Sequence, residues 1–224
     1  MRYAVALLGL ALLTACADDA PVAPRVGASG IRLVNGYTAP VDVYVDGVAA
    51  GSSIGSATID TVTATRGTHT IRLQTTGGAS TTIQVTVGAS LNTLAAIRAG
   101  GTLASVTLDD TNSVVPAGAT KVRVLHLAPS AGEITVMRTQ PDYATPVQWQ
   151  FPFTYSDNIT SLGNPFYQST PGTWDIRAWR KPSEDALGWA ATTARATLTL
   201  GAGEKRTVVV LDRPGGGIRL EVIG

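Results

Sequence analysis

The sequence predicts an all-β fold, with two tandem antiparallel β-sandwiches of the immunoglobulin-like kind behind an N-terminal leader and a flexible tether. Three observations carry this expectation. From Ile31 onward apolar and polar residues alternate with period two, and no stretch sustains the 3.6-residue pattern of a helix. The alternating segments are rich in Val and Thr, whose β-branched side chains suit a pleated surface, and Gly-containing turns separate them. The same order of segments then occurs a second time. The chain has 224 residues, 44% of them apolar, enough for one large or two modest domains with packed cores.

The chain opens with Met1-Arg2 and an uncharged apolar run from Ala4 to Leu13. That run is too short for a bilayer crossing, which takes roughly 20 helical residues, so residues 1–15 read as a secretory signal. Leu13-Thr14-Ala15-Cys16 resembles the lipobox of bacterial lipoproteins, whose Cys is acylated and becomes the mature N-terminus. The chain's single cysteine, Cys16, stands at the position this chemistry requires. Cys16 is therefore the expected lipidation site, and the expected location is the bacterial cell envelope, periplasmic or surface-exposed. Each buried lipid CH₂ contributes roughly 0.8 kcal/mol, so more than one chain makes a stable anchor. Residues 16–30 combine the acylated Cys with Pro, Gly and small residues lacking periodicity, a flexible tether. The 14 residues from Ala17 to Gly30 reach about 46 Å when extended.

Residues 31–110 form the first expected sandwich. In Val41-Asp42-Val43-Tyr44-Val45 the valines share one strand face while Asp42, Tyr44 and then Asp46 share the other. Asp46-Gly47 is a strong hairpin-turn signal. Thr68–Leu73, Thr82–Val87 and Leu103–Leu108 alternate in the same way, with Gly77-Gly78 and Gly88 between segments. Residues 111–120 read as a linker, and residues 121–224 as a second sandwich. Ile31–Asn35 aligns with Val122–His126 at an offset of 91, Arg66–Arg72 with Pro171–Arg177 at 105, and Val85–Ala89 with Leu198–Ala202 at 113. The growing offset places insertions in the second copy. Gly215-Gly216-Gly217, after Pro214, reads as a hairpin turn rather than a phosphate loop.

These segments carry a family resemblance. Ile31–Asn35 followed by Ala39-Pro40-Val41-Asp42-Val43-Tyr44-Val45-Asp46-Gly47 resembles the opening of the bacterial domain of unknown function 4397, often found in tandem on secreted or lipid-anchored proteins. Val122–Pro129 is similar to the same opening, and Leu198–Val210 to the family's late strand pair. The second copy departs from the pattern at Glu133–Arg138, which lacks the acidic-aromatic strand and its Gly turn. The resemblance implies a β-sandwich at the cell surface. It implies no activity and no site residues.

Composition and motifs weigh against most chemistry. Seventeen basic and 16 acidic side chains fall to 16 of each without the leader, which gives no basis for a nucleic-acid partner. One Cys and two isolated His offer no Cys-based zinc site or disulfide framework, so no cofactor and no metal ligand set is expected. Gly51-Ser52-Ser53-Ile54-Gly55 fits the G-x-S-x-G pattern of serine hydrolases, but the elbow needs a strand-to-helix turn, and Ser56–Val62 alternates like a strand. Asp42 and Asp46 lie about 13 Å apart along one strand, too far to share a proton or a small cation. His69, with Trp174 as its counterpart, and His126, with Asn35 as its counterpart, read as structural; for His126 the expected role is a side-chain hydrogen bond at a strand end. Asn158-Ile159-Thr160 is a sequon in form only.

The aromatic distribution is uneven. All four Trp (Trp149, Trp174, Trp179, Trp189) and all three Phe lie in the second copy. In Trp174–Trp179, period two puts Trp174 and Trp179 on opposite faces, so one faces away from the core unless an insertion covers it. Trp179, Trp149 and Trp189 are thus candidate ligand-binding residues, a platform for a glycan or an envelope protein. The leading expectation is a non-catalytic interaction or structural module attached to the membrane through its lipid. A carbohydrate-binding surface protein comes second, and a hydrolase built on Ser53 a distant third.

Overall fold

The computed structural model describes residues 30–88, 91–108, 114–140, 147–148, 153–155, 166–187 and 194–224. The described chain is all β apart from a 3₁₀ turn at Asp185–Leu187. In the first half run β1 (Gly30–Asn35), β2 (Val41–Val45), β3 (Val48–Ile54), β4 (Thr58–Thr63), β5 (Gly67–Thr75), β6 (Ser80–Val87), β7 (Leu91–Ala99) and β8 (Thr102–Leu108). They make two four-stranded sheets, ordered β4-β1-β7-β8 and β3-β2-β5-β6. The second half opens with β9 (Thr120–Leu127), β10 (Glu133–Thr139) and the short β11 (Val147–Gln148), β12 (Phe153–Thr154) and β13 (Tyr167–Ser169). It closes with β14 (Gly172–Arg180), β15 (Ala194–Leu200), β16 (Lys205–Asp212) and β17 (Ile218–Ile223). Its sheets are ordered β13-β9-β16-β17 and β11-β10-β14-β15, with β12 also on β10.

The two halves repeat one topology. β1, β2, β5, β6, β7 and β8 occupy the places that β9, β10, β14, β15, β16 and β17 take in the second half. The registers repeat as well: Gly67 opposes Val87 as Gly172 opposes Leu200, which reproduces the sequence offsets of 105 and 113. Among the described ladders only β1–β7 and β9–β16 are parallel, against the expectation of purely antiparallel pairing. Alternation within a strand reports which side faces the core, not the direction of its neighbour. The predicted turns are in place. Asp46 and Gly47 both have positive φ (50° and 83°), as the twist of a two-residue hairpin demands, and Gly215–Gly217 connects β16 to β17.

Each sandwich closes over its own core. In the first, Ile31, Leu33, Val41, Val43, Ile71, Leu73, Val85 and Leu94 meet between the sheets. In the second, the equivalent positions are Val122, Val124, Ile134, Val136, Ile176, Ala178, Leu198 and Val208. A third apolar layer joins the halves. The opposite faces of β1, β7 and β8 bring Val34, Ala95, Ile97, Val106 and Leu108 against Leu125, Leu127, Val209 and Leu211 of β9 and β16. The molecule is therefore a stack of four sheets, in which the two middle sheets are buried on both faces.

This third layer is built from the same patch on both sandwiches. In the repeat, Val34 corresponds to Leu125, Ala95 to Val209, Ile97 to Leu211 and Leu108 to Ile223, and all of them pack in it. Gly36 and Leu127, also equivalent, touch: a Cβ on Gly36 would lie 2.9 Å from that of Leu127. Use of one patch by both partners is the arrangement of a two-fold dimer, here within a single chain. Polar contacts close its rim. The Arg98 amide donates to the Tyr155 hydroxyl at 2.9 Å, and Arg219 donates to the Ala57 carbonyl.

Candidate functional site

The titratable and hydroxyl side chains with chemical potential gather at strand ends and turns, and their hydrogen bonds show what occupies them. Asn35 ends β1 and is buried, accepting from the Tyr37 amide at 3.0 Å through Oδ1. Its Nδ2 donates to the carbonyls of Ala39, Ile54 and Gly55. His126, its equivalent in β9, accepts from the Ala128 amide through Nδ1 at 3.4 Å and contacts the Gly132 carbonyl through Nε2 at 2.7 Å. A nitrogen that accepts beside one that donates defines the neutral ring, and burial pushes the His126 pKa down. The strand-end hydrogen bond expected of His126 is present, two residues downstream in both copies.

His69 and Trp174 form a second equivalent pair. His69 Nε2 lies 2.9 Å from the Thr65 carbonyl, and Trp174 Nε1 donates to the Thr170 carbonyl at 3.1 Å. Both rings reach back four residues across a glycine in the same unusual backbone state, φ 134° at Gly67 and 137° at Gly172. This clasp escaped the sequence reading, though Gly67-Thr68-His69 aligned with Gly172-Thr173-Trp174 was its visible trace. His69 has a further partner: Nδ1 lies 2.7 Å from Asp46 Oδ2. The hydrogen bond to Asp46 raises the His69 pKa, and the same bond lowers that of Asp46.

The remaining catalytic candidates sit in a strand bulge and a turn. Ser53 lies within β3, in a bulge where the β2–β3 register shifts, and has φ 52°. Its amide donates to Asp42 Oδ1 at 2.7 Å. The chain continues into a turn and β4, not into a helix, so the elbow geometry is not what surrounds Ser53. Asp42 thus holds a bulge, while Asp46 accepts from the Thr70 amide at 2.8 Å and from His69. A Ser, a His and an Asp do come near one another around the β9–β10 turn. There Ser130 donates to the Asp212 carboxylate, while both His126 nitrogens are taken by backbone, so the three do not form a Ser-His-Asp relay. Among the described residues, no group of three His, Cys, Asp or Glu could hold a metal ion.

The second sandwich covers an outward face that the first leaves open. Asp175, on the side of β14 away from the core, is 1% exposed and salt-bridged to Arg177 (2.9 Å) and Arg195 (2.7 Å). Trp179 does face away from the core, but it offers no stacking surface. It is 7% exposed, and its Nε1 donates to Asp185 Oδ1 at 3.0 Å in the 3₁₀ turn that follows β14. The inserted segment has become its cover. Trp174 packs partly into the core with the Arg138 guanidinium 4.5 Å above its ring. Trp149 and Trp189 lie outside the described residues, as do Cys16, the leader, the tether up to residue 29 and Asn158, while Gly30, expected in the tether, begins β1.

The fold and these sites define a class: a doubled β-sandwich whose polar groups serve its turns. Residues 29–137 match the family described as a domain of unknown function (DUF4397), and over that stretch the resemblance read from the opening strands holds. The match spans the first sandwich and continues through β9 into β10. No curated protein matches the chain.

Proposed function

We propose that this chain is a non-catalytic interaction or structural protein of the bacterial cell envelope, anchored by lipid on Cys16. One observation carries the non-catalytic reading. His126, Asp42 and Asp46 bond to backbone groups at strand ends, bulges and turns, His69 joins two of those turns, and Ser53 stands in a strand bulge rather than at a strand-to-helix elbow. A four-sheet stack with a shared middle layer also suits a rigid spacer better than an enzyme that must open and close. We take the second sandwich as a further copy of the matched domain, since its strand order repeats that of the first. The anchor rests on Leu13-Thr14-Ala15-Cys16.

Metabolic labelling with an alkyne fatty acid tests the anchor directly. The wild-type chain takes up label and sediments with membranes, and Cys16→Ala loses both properties. Label retained in Cys16→Ala, or membrane association without it, overturns the anchoring reading.

A further inference from the structure

The contacts of His69 have a consequence in the first sandwich that the second cannot share. Its two ring nitrogens face two groups that only accept: a carboxylate oxygen at 2.7 Å and a backbone carbonyl oxygen at 2.9 Å. A neutral imidazole has one N–H and can satisfy only one of them, whereas the imidazolium satisfies both. Asp46 sits in the β2–β3 turn, and Thr65 in the connection from β4 to β5. β2, β3 and β5 belong to one sheet and β4 to the other, so the charged ring ties the β2–β3 turn to the connection by which the chain crosses from one sheet to the other.

We propose that His69 is a pH-sensitive clasp, closed as the imidazolium and opening on its Thr65 side when the ring loses its proton. The choice of side follows from bond strength. A hydrogen bond to a carboxylate is roughly twice as strong as one to a neutral carbonyl, so the remaining N–H stays with Asp46. Nε2 then turns a lone pair toward the Thr65 carbonyl, which exchanges the ring for water and frees the Ala64–Arg66 connection.

The charged group facing the ring is Asp46 in the β2–β3 turn, and it acts on the ring chiefly through its hydrogen bond. The ladder neighbour of His69 on β6 is the uncharged Val85, and Arg66 stands beside Thr65 in the connection. The ring is 13% exposed and Asp46 54%, so protons reach the pair from solvent. Trp174 makes the equivalent bond to Thr170 with an N–H that does not titrate over this range. The second sandwich is therefore a permanently closed control within the same molecule.

Histidine-selective NMR and amide hydrogen exchange on the full chain, between pH 5.5 and 9, test this. His69 is expected to titrate above about 6.5, the ordinary value for the side chain. Beyond the intrinsic pH dependence of exchange, protection at Thr65–Gly67 should fall about fivefold across that titration, in keeping with the net worth of one hydrogen bond. Protection at Thr170–Gly172 should not change. His69→Trp, which copies the second sandwich, should abolish the pH dependence, and Asp46→Asn should move the titration down. A His69 that titrates at or below 6.5, or a loss of protection that persists in His69→Trp, overturns the proposal. If His69→Trp does not fold, Asp46→Asn decides alone, because an unmoved titration refutes the clasp.

Discussion

Leu125→Ala probes whether the layer between the sandwiches is a core or a mere contact. Leu125 is fully buried and packs in the cluster that holds Val34, Ala95, Val209 and Leu211. Two hydrogen-bonded sheets wall the site, so the surroundings cannot collapse far into the space left behind. Leu-to-Ala truncations in such cores cost 2–5 kcal/mol, and the rigid walls place this one at about 3 kcal/mol. For a domain of this size each kcal/mol lowers Tm by roughly 2–4 °C, which gives a fall of about 6–12 °C. Calorimetry reads the total, and amide exchange at Ile71 in β5 and Ile176 in β14 reads each sandwich separately. Both reporters should lose protection together, because the layer belongs to both halves. A Tm change under 2 °C, or a loss confined to Ile176, would refute the shared core. Val222→Ala, at a side chain 36% exposed, is the control and should stay within about 0.5 kcal/mol.

Other outcomes follow from the same geometry. Gly36→Ala should cost about 1–3 kcal/mol by overpacking, since its Cβ would lie 3.0 Å from the Leu127 carbonyl oxygen and 3.3 Å from that of Ala96. Gly88→Ala, with nothing within 4 Å, should be neutral by the same denaturation assay. Asp175→Asn should cost about 2 kcal/mol, because it leaves Arg177, at 16% side-chain exposure, beside a neutral partner while Arg195 stays half in water. His126 should make the protein acid-sensitive. The unfolded chain takes up its proton near pH 6.5, whereas the folded ring, its pKa lowered by burial, does so only further down. Stability should then fall as pH drops below about 6.5, and His126→Asn, the residue of the first copy, should remove that acid limb in urea melts. Binding of cell-wall glycans, read by Trp fluorescence, should be unaffected by Trp179→Phe; a loss would mean that the buried ring is reached by ligand.

Much of the fold is legible in the chain because burial within one sandwich follows alternation. Val41 and Val43 point inward and Asp42 outward, as period two requires, and Asp46-Gly47 turns where its backbone preference says it should. The repeat was visible in unaligned text, and with it the equivalence of His126 to Asn35, which turned out to be an equivalence of hydrogen bonds. The site was less legible. A motif such as Gly51–Gly55 specifies residue types but not the backbone beneath them, and a bulge held by Asp42 uses the same letters as a nucleophile elbow. Trp179 could be assigned to the outer side of its strand, but not to an open surface, because the residues that cover it come from a loop without periodicity.

By itself the sequence determined the strand content, the inward faces, the turns and the doubling, all of which are local properties of backbone preference and side-chain period. Tertiary structure decided which outward faces would become interior. Leu94-Ala95-Ala96-Ile97 and Val208-Val209-Val210-Leu211 are apolar on both sides, a pattern that suits strands covered on both faces, yet such a run does not name its partner. The partner is the same patch of the other sandwich, and its choice depends on contacts between residues far apart in the chain, such as Arg98 with Tyr155 and Arg219 with Ala57. Those contacts depend on shape complementarity between two finished surfaces, which exists only once each sheet has formed.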